Sequence, residues 1–287
     1  MTIEALRQFR ALVETGGFRA AAERVHRSQP AVSHQLKSLE RELGHILLDR
    51  KTCKPTPAGS RLYEHACRLL TDVESIRREL GEFDESRVRE LRLGTSDTTA
   101  LYVLPPIIRR FARAMPHTHV EIVNRSTGAI AEQVGRGELD LGIVTLPAGH
   151  ATLEERELFR QELVLVVPVG HRLRSRRRAK LEDLREEPFL LLDANTRTGT
   201  LLRQHFAQTG FEPHTVLDSG SFEVIKRYVA EGIGVSFLPR MVITRADRAL
   251  TTLHVQGLPE VSIGAVWRKG SYKTLAAKTF LALMENA

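Results

Sequence analysis

The sequence predicts a chain of class α + α/β: a small winged helical head, a long connecting helix, and a larger two-part α/β remainder. Three observations carry that prediction. Ser28–Gly44 has one apolar and one polar helical face, residues 62–83 repeat apolar side chains in heptads, and beyond residue 88 short strand-like runs alternate with helical ones.

Ile3, Leu6, Phe9 and Val13 form a helical stripe that Gly16-Gly17 ends. Phe18–Val25 gives a short second helix whose alanines 20–22 permit a close crossing. His26-Arg27 then turns into a third helix, where Ser28 is a good N-cap and Pro30 lies in the first turn, where a missing N–H costs nothing. Val32, Leu36, Leu39 and Leu43 share one face of this helix. The opposite face carries Pro30, Ser33, His34, Lys37, Ser38 and Arg41, small, polar or cationic groups suited to base edges and phosphates. A small-residue helix, a tight turn and a polar-faced helix follow the plan of a helix-turn-helix. Gln29, Pro30, Ser33, His34 and Lys37 are the candidate DNA-reading residues. The segment HILLDRKTCKPTPAG reads as a wing, with Arg50, Lys51 and Lys54 as candidate phosphate contacts.

Thr56-Pro57 opens the long helix. Leu62, Ala66, Leu69, Val73, Ile76, Leu80 and Phe83 alternate spacings of four and three, the pattern of a coiled-coil seam. A seam needs a partner, and an identical chain would set two recognition helices on a two-fold symmetric site. Packing back onto its own domain is the competing arrangement, and it leaves the helix length unexplained. Leu62, Leu69, Val73, Ile76 and Leu80 are the candidate dimerisation residues. Near Glu85-Ser86-Arg87 the pattern changes, which places a domain boundary there.

Strand-like runs follow at 90–95, 119–124, 139–145, 162–168, 189–193, 214–220 and 261–267. Helical runs lie at 106–115, 128–136, 198–209, 221–231 and 272–285. Their alternation predicts largely parallel sheets, and Pro105-Pro106 should break the segment after Ala100. RSRRRAK, 174–180, is a local basic run, read as a solvated loop.

The chain has 287 residues, 42% hydrophobic and 27% charged, enough apolar material for more than one core. Its formal charge is +7, and residues 1–70 alone hold twelve Lys/Arg against seven Asp/Glu, 12 − 7 = +5. The excess therefore concentrates on the head, where a polyanion would bind. The N-terminus reads as an amphipathic helix and not a signal sequence, and no apolar run is long enough to span a bilayer. Cys53 and Cys67 make neither a disulfide framework nor a CxxC zinc motif, so a cytoplasmic chain with reduced thiols is expected.

These residues resemble the LysR-type transcriptional regulators. The resemblance rests on Ala21-Ala22, SQPAVSHQLKSLERELG, Asp49-Arg50, TPAG at 56–59, GELDLGIV at 137–144, VP-GH-L at 167–173 and EGIGVSFLP at 231–239. It covers essentially the whole chain and departs at Leu48, where the family usually has Phe. It implies a winged helix-turn-helix DNA-binding domain over 1–58, a linker or dimerisation helix over 59–88, and an effector-binding regulatory domain over 89–287. That last domain would be similar to type 2 periplasmic binding proteins, with one subdomain at about 89–163 plus 268–287 and the other at about 164–267. Promoter DNA, further copies of the chain (a dimer or dimer of dimers, a homotetramer), a small-molecule effector and RNA polymerase are the expected partners. No membrane, cofactor or metal is expected.

Ligands in open α/β sheets sit beyond the carboxyl ends of strands, near free helix N-termini. Thr95, Ser96, Thr127, Thr145, Arg197, Thr198 and Ser219 occupy such places and are the candidate effector-binding residues. Plain helix capping explains any single hydroxyl equally well. Arg197 and Arg125 could pair with a carboxylate, so a small anion or carboxylate is the expected effector, with Asp97 opposing it. Three rival functions leave different marks. No GxSxG, GxxxxGK[ST] or HExxH motif supports an enzyme. A cytoplasmic solute-binding or sensor protein of periplasmic-binding fold would lack the DNA-binding head. Peroxide sensing in this family uses a cysteine pair in the C-terminal domain, whereas both cysteines here precede residue 68. His117 and His119 read as a surface pair.

Overall fold

The helix opening at Gln29 is preceded by an abrupt turn, and the residues explain it. In the computed structural model, which describes residues 1–81 and 89–286, α1 (Ile3–Thr15) and α2 (Phe18–Arg24) precede α3 (Gln29–Leu43). Gly16 closes α1 in the left-handed region at φ 66°, donating its N–H to Leu12. His26 also has positive φ, 53°, and lets Arg27 N–H reach back to the Ala22 carbonyl at 2.9 Å. Ser28 is extended and its Oγ accepts from Ala31 N–H, so the helix begins where its cap predicts. Ala21, Ala22, Val32, Leu36 and Leu39 bury against Phe9 and Leu12 in one small core. Leu48, the departure from the family pattern, is 1% exposed in that core.

Thr56 joins the wing to α4 (Pro57–Gly81). Its hydroxyl accepts from Gly59 N–H at 3.1 Å and donates to the Ile46 carbonyl at 2.7 Å. A Cβ on Gly59 would stand 1.9 Å from the Leu47 carbonyl oxygen, so this position takes nothing larger. The 25 residues of α4 run about 37 Å at ~1.5 Å per residue.

The chain divides into two compact units, Met1–Arg87 and Val88–Ala287. In the second, one sheet has the order β2-β1-β3-β11-β4, formed by β1 (Arg89–Thr95), β2 (Thr118–Asn124), β3 (Leu141–Thr145), β4 (Leu153–Gln161) and β11 (Val261–Arg268). Another has the order β6-β10-β5-β9, from β5 (Leu163–Pro168), β6 (Arg178–Ala179), β9 (Ser236–Pro239) and β10 (Leu250–Val255). Strands β7 (Pro188–Leu192) and β8 (His214–Ser219) pair in parallel, and Phe189 bridges to Val235 beside β9. The chain crosses between the sheets twice, between β4 and β5 and between β10 and β11. Helices α5 (Asp97–Tyr102), α6 (Leu104–Ala114), α7 (Thr127–Arg136), α8 (Arg197–Thr209), α9 (Phe222–Ala230) and α10 (Leu275–Glu285) complete it. Pro105-Pro106 sits in the first turn of α6, and α5 ends just before, as proline geometry requires. One apolar cluster runs through both sheets, from Leu91 and Phe111 to Phe189 and Phe237.

Two expectations change. The sheets are mixed and not largely parallel: β1 runs parallel to β2 and β3, but β11 is antiparallel to β3 and β4, and β5 is antiparallel to β9 and β10. LEERELFRQ at 153–161 is too polar to mark itself as a strand, and LTTLHV at 250–255, though apolar and β-branched enough, is a six-residue run behind the charged turn TRADRA. Without them the antiparallel partners are invisible. Further, the expected bounds of about 164–267 place 261–267 in the second subdomain, yet its register with β3 and β4 puts it in the first sheet. The boundary expected at Glu85-Ser86-Arg87 and the seam residue Phe83 lie outside the described residues.

Candidate functional site

On α3 the helical period separates function from packing. Val32, Leu36 and Leu39 are buried, while Gln29, Pro30, His34 and Lys37 are exposed and Ser33 is half-buried on the other side. Lys37 has no carboxylate partner among the described residues. The wing folds back through the Leu48–Pro55 bridge, and Asp49 N–H donates to the Lys54 carbonyl at 2.9 Å. Asp49 organises its tip: Oδ1 accepts from Lys51 N–H at 2.8 Å and Thr52 N–H at 2.9 Å. Those amide bonds, Thr52 first, hold its carboxyl below the usual range. Lys51 and Lys54 stand exposed at that tip. Arg50 is different, since its guanidinium is bound to Glu40 Oε2 at 2.7 Å. Glu40 also accepts from Leu47 N–H at 2.9 Å, so Arg50 fastens the wing to α3.

The α4 seam divides in two. Leu62 packs against the head, and Ala66 and Leu70 bury with Leu6. Leu69, Ile76 and Leu80 are 44%, 55% and 64% exposed, with Val73 half-buried. Leu62 was expected on a dimer seam, but α1 claims it. An apolar stripe of Leu69, Val73, Ile76 and Leu80 is left without a covering element among the described residues.

In the second unit a cavity of about 360 Å³ opens beyond the carboxyl ends of β1, β2, β3 and β7. Ser96, Thr127, Thr145, Arg197 and Thr198 line it, five of the expected residues. Thr95 and Ser219 do not. Thr95 is fully buried and donates to the Ile143 carbonyl at 2.8 Å, which ties β1 to β3. Ser219 turns its Oγ to Ser221 N–H at 3.2 Å. Both sit at strand ends, but the Thr95 hydroxyl is taken up by the neighbouring strand and the Ser219 hydroxyl by the turn into α9. Ser126, Thr196 and Ser221 cap α7, α8 and α9 around the cavity, accepting from Ala129, Gly199 and Val224 N–H. Helix N-termini so gathered carry partial positive charge. Arg125 and Arg197 add full charges, against Asp97, Asp193 and Glu223. The Asp193 carboxylate accepts from Asn195 N–H at 2.7 Å.

Sequence reasoning missed the wall formed by Tyr102 and Glu223. Tyr102, on α5, bonds Glu223 on α9, and Lys226 Nζ lies 2.9 Å from the same hydroxyl. Lys226 is only 7% exposed and pairs with Asp247 at 3.1 Å and Glu223 at 3.3 Å. Burial opposes its charge, but the bonds to Tyr102 and Asp247 and the Glu223 charge outweigh that and raise its pKa. No one-dimensional signal joins residues 102, 223, 226 and 247. His117 and His119 are exposed at the edge strand β2, and among the described residues no His/Cys/Asp/Glu cluster could hold a metal. Nor does any described helix have the length and apolarity to cross a membrane.

Comparison with known proteins completes the picture. Residues 3–60 match the model of the bacterial regulatory helix-turn-helix protein, lysR family, and residues 84–287 that of the LysR substrate binding domain. The regulator SsuR of Burkholderia cenocepacia is 32% identical over 275 residues, covering 94% of this chain and 87% of SsuR. Full-length OxyR from Pseudomonas aeruginosa superposes with TM-score 0.79 at 26% identity, covering 99% of this chain and 94% of OxyR. CbnR, solved with its target DNA, gives TM-score 0.68 at 23% identity over 100% of this chain and 99% of CbnR. A solute-binding protein lacking a DNA-binding head has no support in these matches. The two matched models together span both units, and the chain belongs to the LysR family of transcriptional regulators, with a helix-turn-helix DNA-binding region and a two-subdomain effector-binding domain.

Proposed function

We propose that the cavity takes a small anion or carboxylate, and that its occupancy governs how paired copies of the head engage promoter DNA. The observation that supports this most is the gathering of the N-termini of α7, α8 and α9 with Arg125 and Arg197 around one cavity. Thr127, Arg197 and Thr198 hold the anionic group, with Ser96 and Thr145 completing the shape. The effector shifts the arrangement of the heads only by its differential affinity for the two arrangements.

On the DNA side, Gln29, Pro30, Ser33 and His34 meet base edges, and Lys37, Lys51 and Lys54 meet phosphates. Arg50 acts mainly by holding the wing. The functional divisions are the head over 1–58, the linker helix over 59–88 and the regulatory part from 89 on. The exposed stripe of α4 pairs two copies, and two such dimers form the tetramer. The protein acts in the cytoplasm on DNA, catalyses no reaction, and signals to RNA polymerase.

A thermal-shift screen with acetate, benzoate, sulfate and phosphate tests the ligand class. At least one of these should raise the melting temperature of the wild type and not of Thr127→Ala or Arg197→Ala. A stabilising ligand found only among uncharged or cationic compounds would sink the reading.

A further inference from the structure

Residues 172–180 hold six cations in nine positions, Arg172, Arg174, Arg176, Arg177, Arg178 and Lys180, and no acid. All six are exposed. Some of this charge is spent locally. Arg172 bonds Glu187 at 2.8 Å, and Arg176 lies 3.5 Å from Asp183. Arg174 donates to the Val169 carbonyl at 3.2 Å. Arg177 and Arg178 have no carboxylate partner among the described residues. Across the strand pair, His254 is already bound to Glu162 at 2.7 Å.

The backbone beneath these arginines is fixed. Strand β6 runs along the open edge of the second sheet, in register Arg178 to His254 and Ala179 to Val255, and His254 N–H donates to the Arg177 carbonyl at 3.2 Å. Side chains on a fixed strand lose less freedom on binding than those of a loose loop. The apolar members of the run, Leu173 and Ala179, are 1% and 4% exposed. The surface therefore offers charge without a hydrophobic anchor, unlike the core of a protein interface. No Phe, Tyr or Trp lies between 169 and 188, and His171 is held by Glu187 at 3.0 Å, so the run offers no open platform for unstacked bases. Five arginines with forked guanidinium groups suit phosphate oxygens.

We propose that this strand and its flanks form a second, sequence-independent contact with the phosphate backbone of duplex DNA. Duplex DNA is the polyanion that the helix-turn-helix of the same chain takes, so the basic strand edge would add phosphate contacts to a ligand the protein already binds. It adds affinity and salt dependence without adding base readout.

The test is fluorescence anisotropy of the full-length protein on a long duplex of scrambled sequence, between about 50 and 200 mM salt. Each lost phosphate contact should make the slope of log K against log salt shallower by about 0.9. Arg177→Ala with Arg178→Ala is expected to lose about 1.8 for each bound copy. Lys269→Ala with Lys278→Ala removes the same charge elsewhere in this unit and should keep the wild-type slope. Arg177→Lys with Arg178→Lys should also keep it. A slope unchanged in the arginine-to-alanine protein overturns the proposal and leaves the run to an acidic protein surface or to solvent. Equal losses in the Lys269/Lys278 protein would mark net charge alone, and equal losses in the lysine-for-arginine protein would mark distorted structure; either also overturns it.

Discussion

The Tyr102 hydroxyl and the Lys226 ammonium lie 2.9 Å apart, and this bond joins helix α5, which follows strand β1 of the first sheet, to helix α9, which packs on β5 of the second. The ammonium also donates to the Val242 carbonyl at 2.8 Å and sits over the tyrosine ring, 5.4 Å from its centre. Tyr102 and Glu223 line the cavity, so the polar joint between the subdomains forms part of its wall.

Lys226→Met should cost about 3 kcal/mol in denaturant unfolding, because it leaves Asp247 largely buried without its cation. Tyr102→Phe should cost less, about 1.5 kcal/mol, the value of one bond to a charged group. Equal small costs for both would mean that the joint is solvated and adds little to stability.

The same cluster sets a pH window. Burial pushes the Asp247 carboxyl up, but bonds from Thr244 and Lys226 outweigh it and its pKa is lowered. A lowered pKa stabilises the fold above the unfolded value, and that stability is lost as pH falls below about 4. Lys226, with its raised pKa, contributes at every pH below about 10.4 and loses its share as pH rises above that. Asp247→Asn should flatten the acid limb of a stability-against-pH curve for the second unit. An acid limb identical to wild type would show that Asp247 titrates as in the unfolded chain.

The two halves of the α4 seam predict opposite phenotypes. Ile76→Asp should yield smaller particles by light scattering with the melting temperature of the head kept, since Ile76 is 55% exposed. Leu62→Ala should instead cost about 2 kcal/mol of head stability and leave assembly intact, because Leu62 packs on the head core. Reversed outcomes would return Leu62 to the seam.

Gly59→Ala should destabilise the head by about 2 kcal/mol, measured by thermal unfolding, as its Cβ would collide with the Leu47 carbonyl. Unperturbed unfolding would mean that the wing shifts freely against α4.

Gln29→Ala should relax base preference by about 1–3 kcal/mol at one position of the operator while scrambled DNA binds as before. Equal weakening on every sequence would assign Gln29 to the phosphates.

The helices of the head were legible because their signals are local. Ser28, Gly16 and Gly44 cap or close helices through their own backbone geometry, and Val32, Leu36 and Leu39 follow the helical period directly. The cavity was half legible. Ser96, Thr127, Thr145, Arg197 and Thr198 lie at or after strand ends and could be found by position, but the bonds that occupy the Thr95 and Ser219 hydroxyls depend on the neighbouring strand and turn. The split of the α4 seam was not legible, because heptad spacing cannot tell a partner helix from α1 of the same chain.

By itself, the sequence determined the helix-turn-helix, the long helix, the α/β remainder and the family, all of which rest on local periodicity, caps and short motifs. Tertiary structure decided the rest: the crossing of β11 into the first sheet, the loss of Leu62 and Arg50 to the head's own packing, and the joint of Tyr102, Glu223, Lys226 and Asp247. The reason is physical. Strand order and buried ion pairs join residues far apart in the chain, and their energies depend on which neighbours the fold supplies.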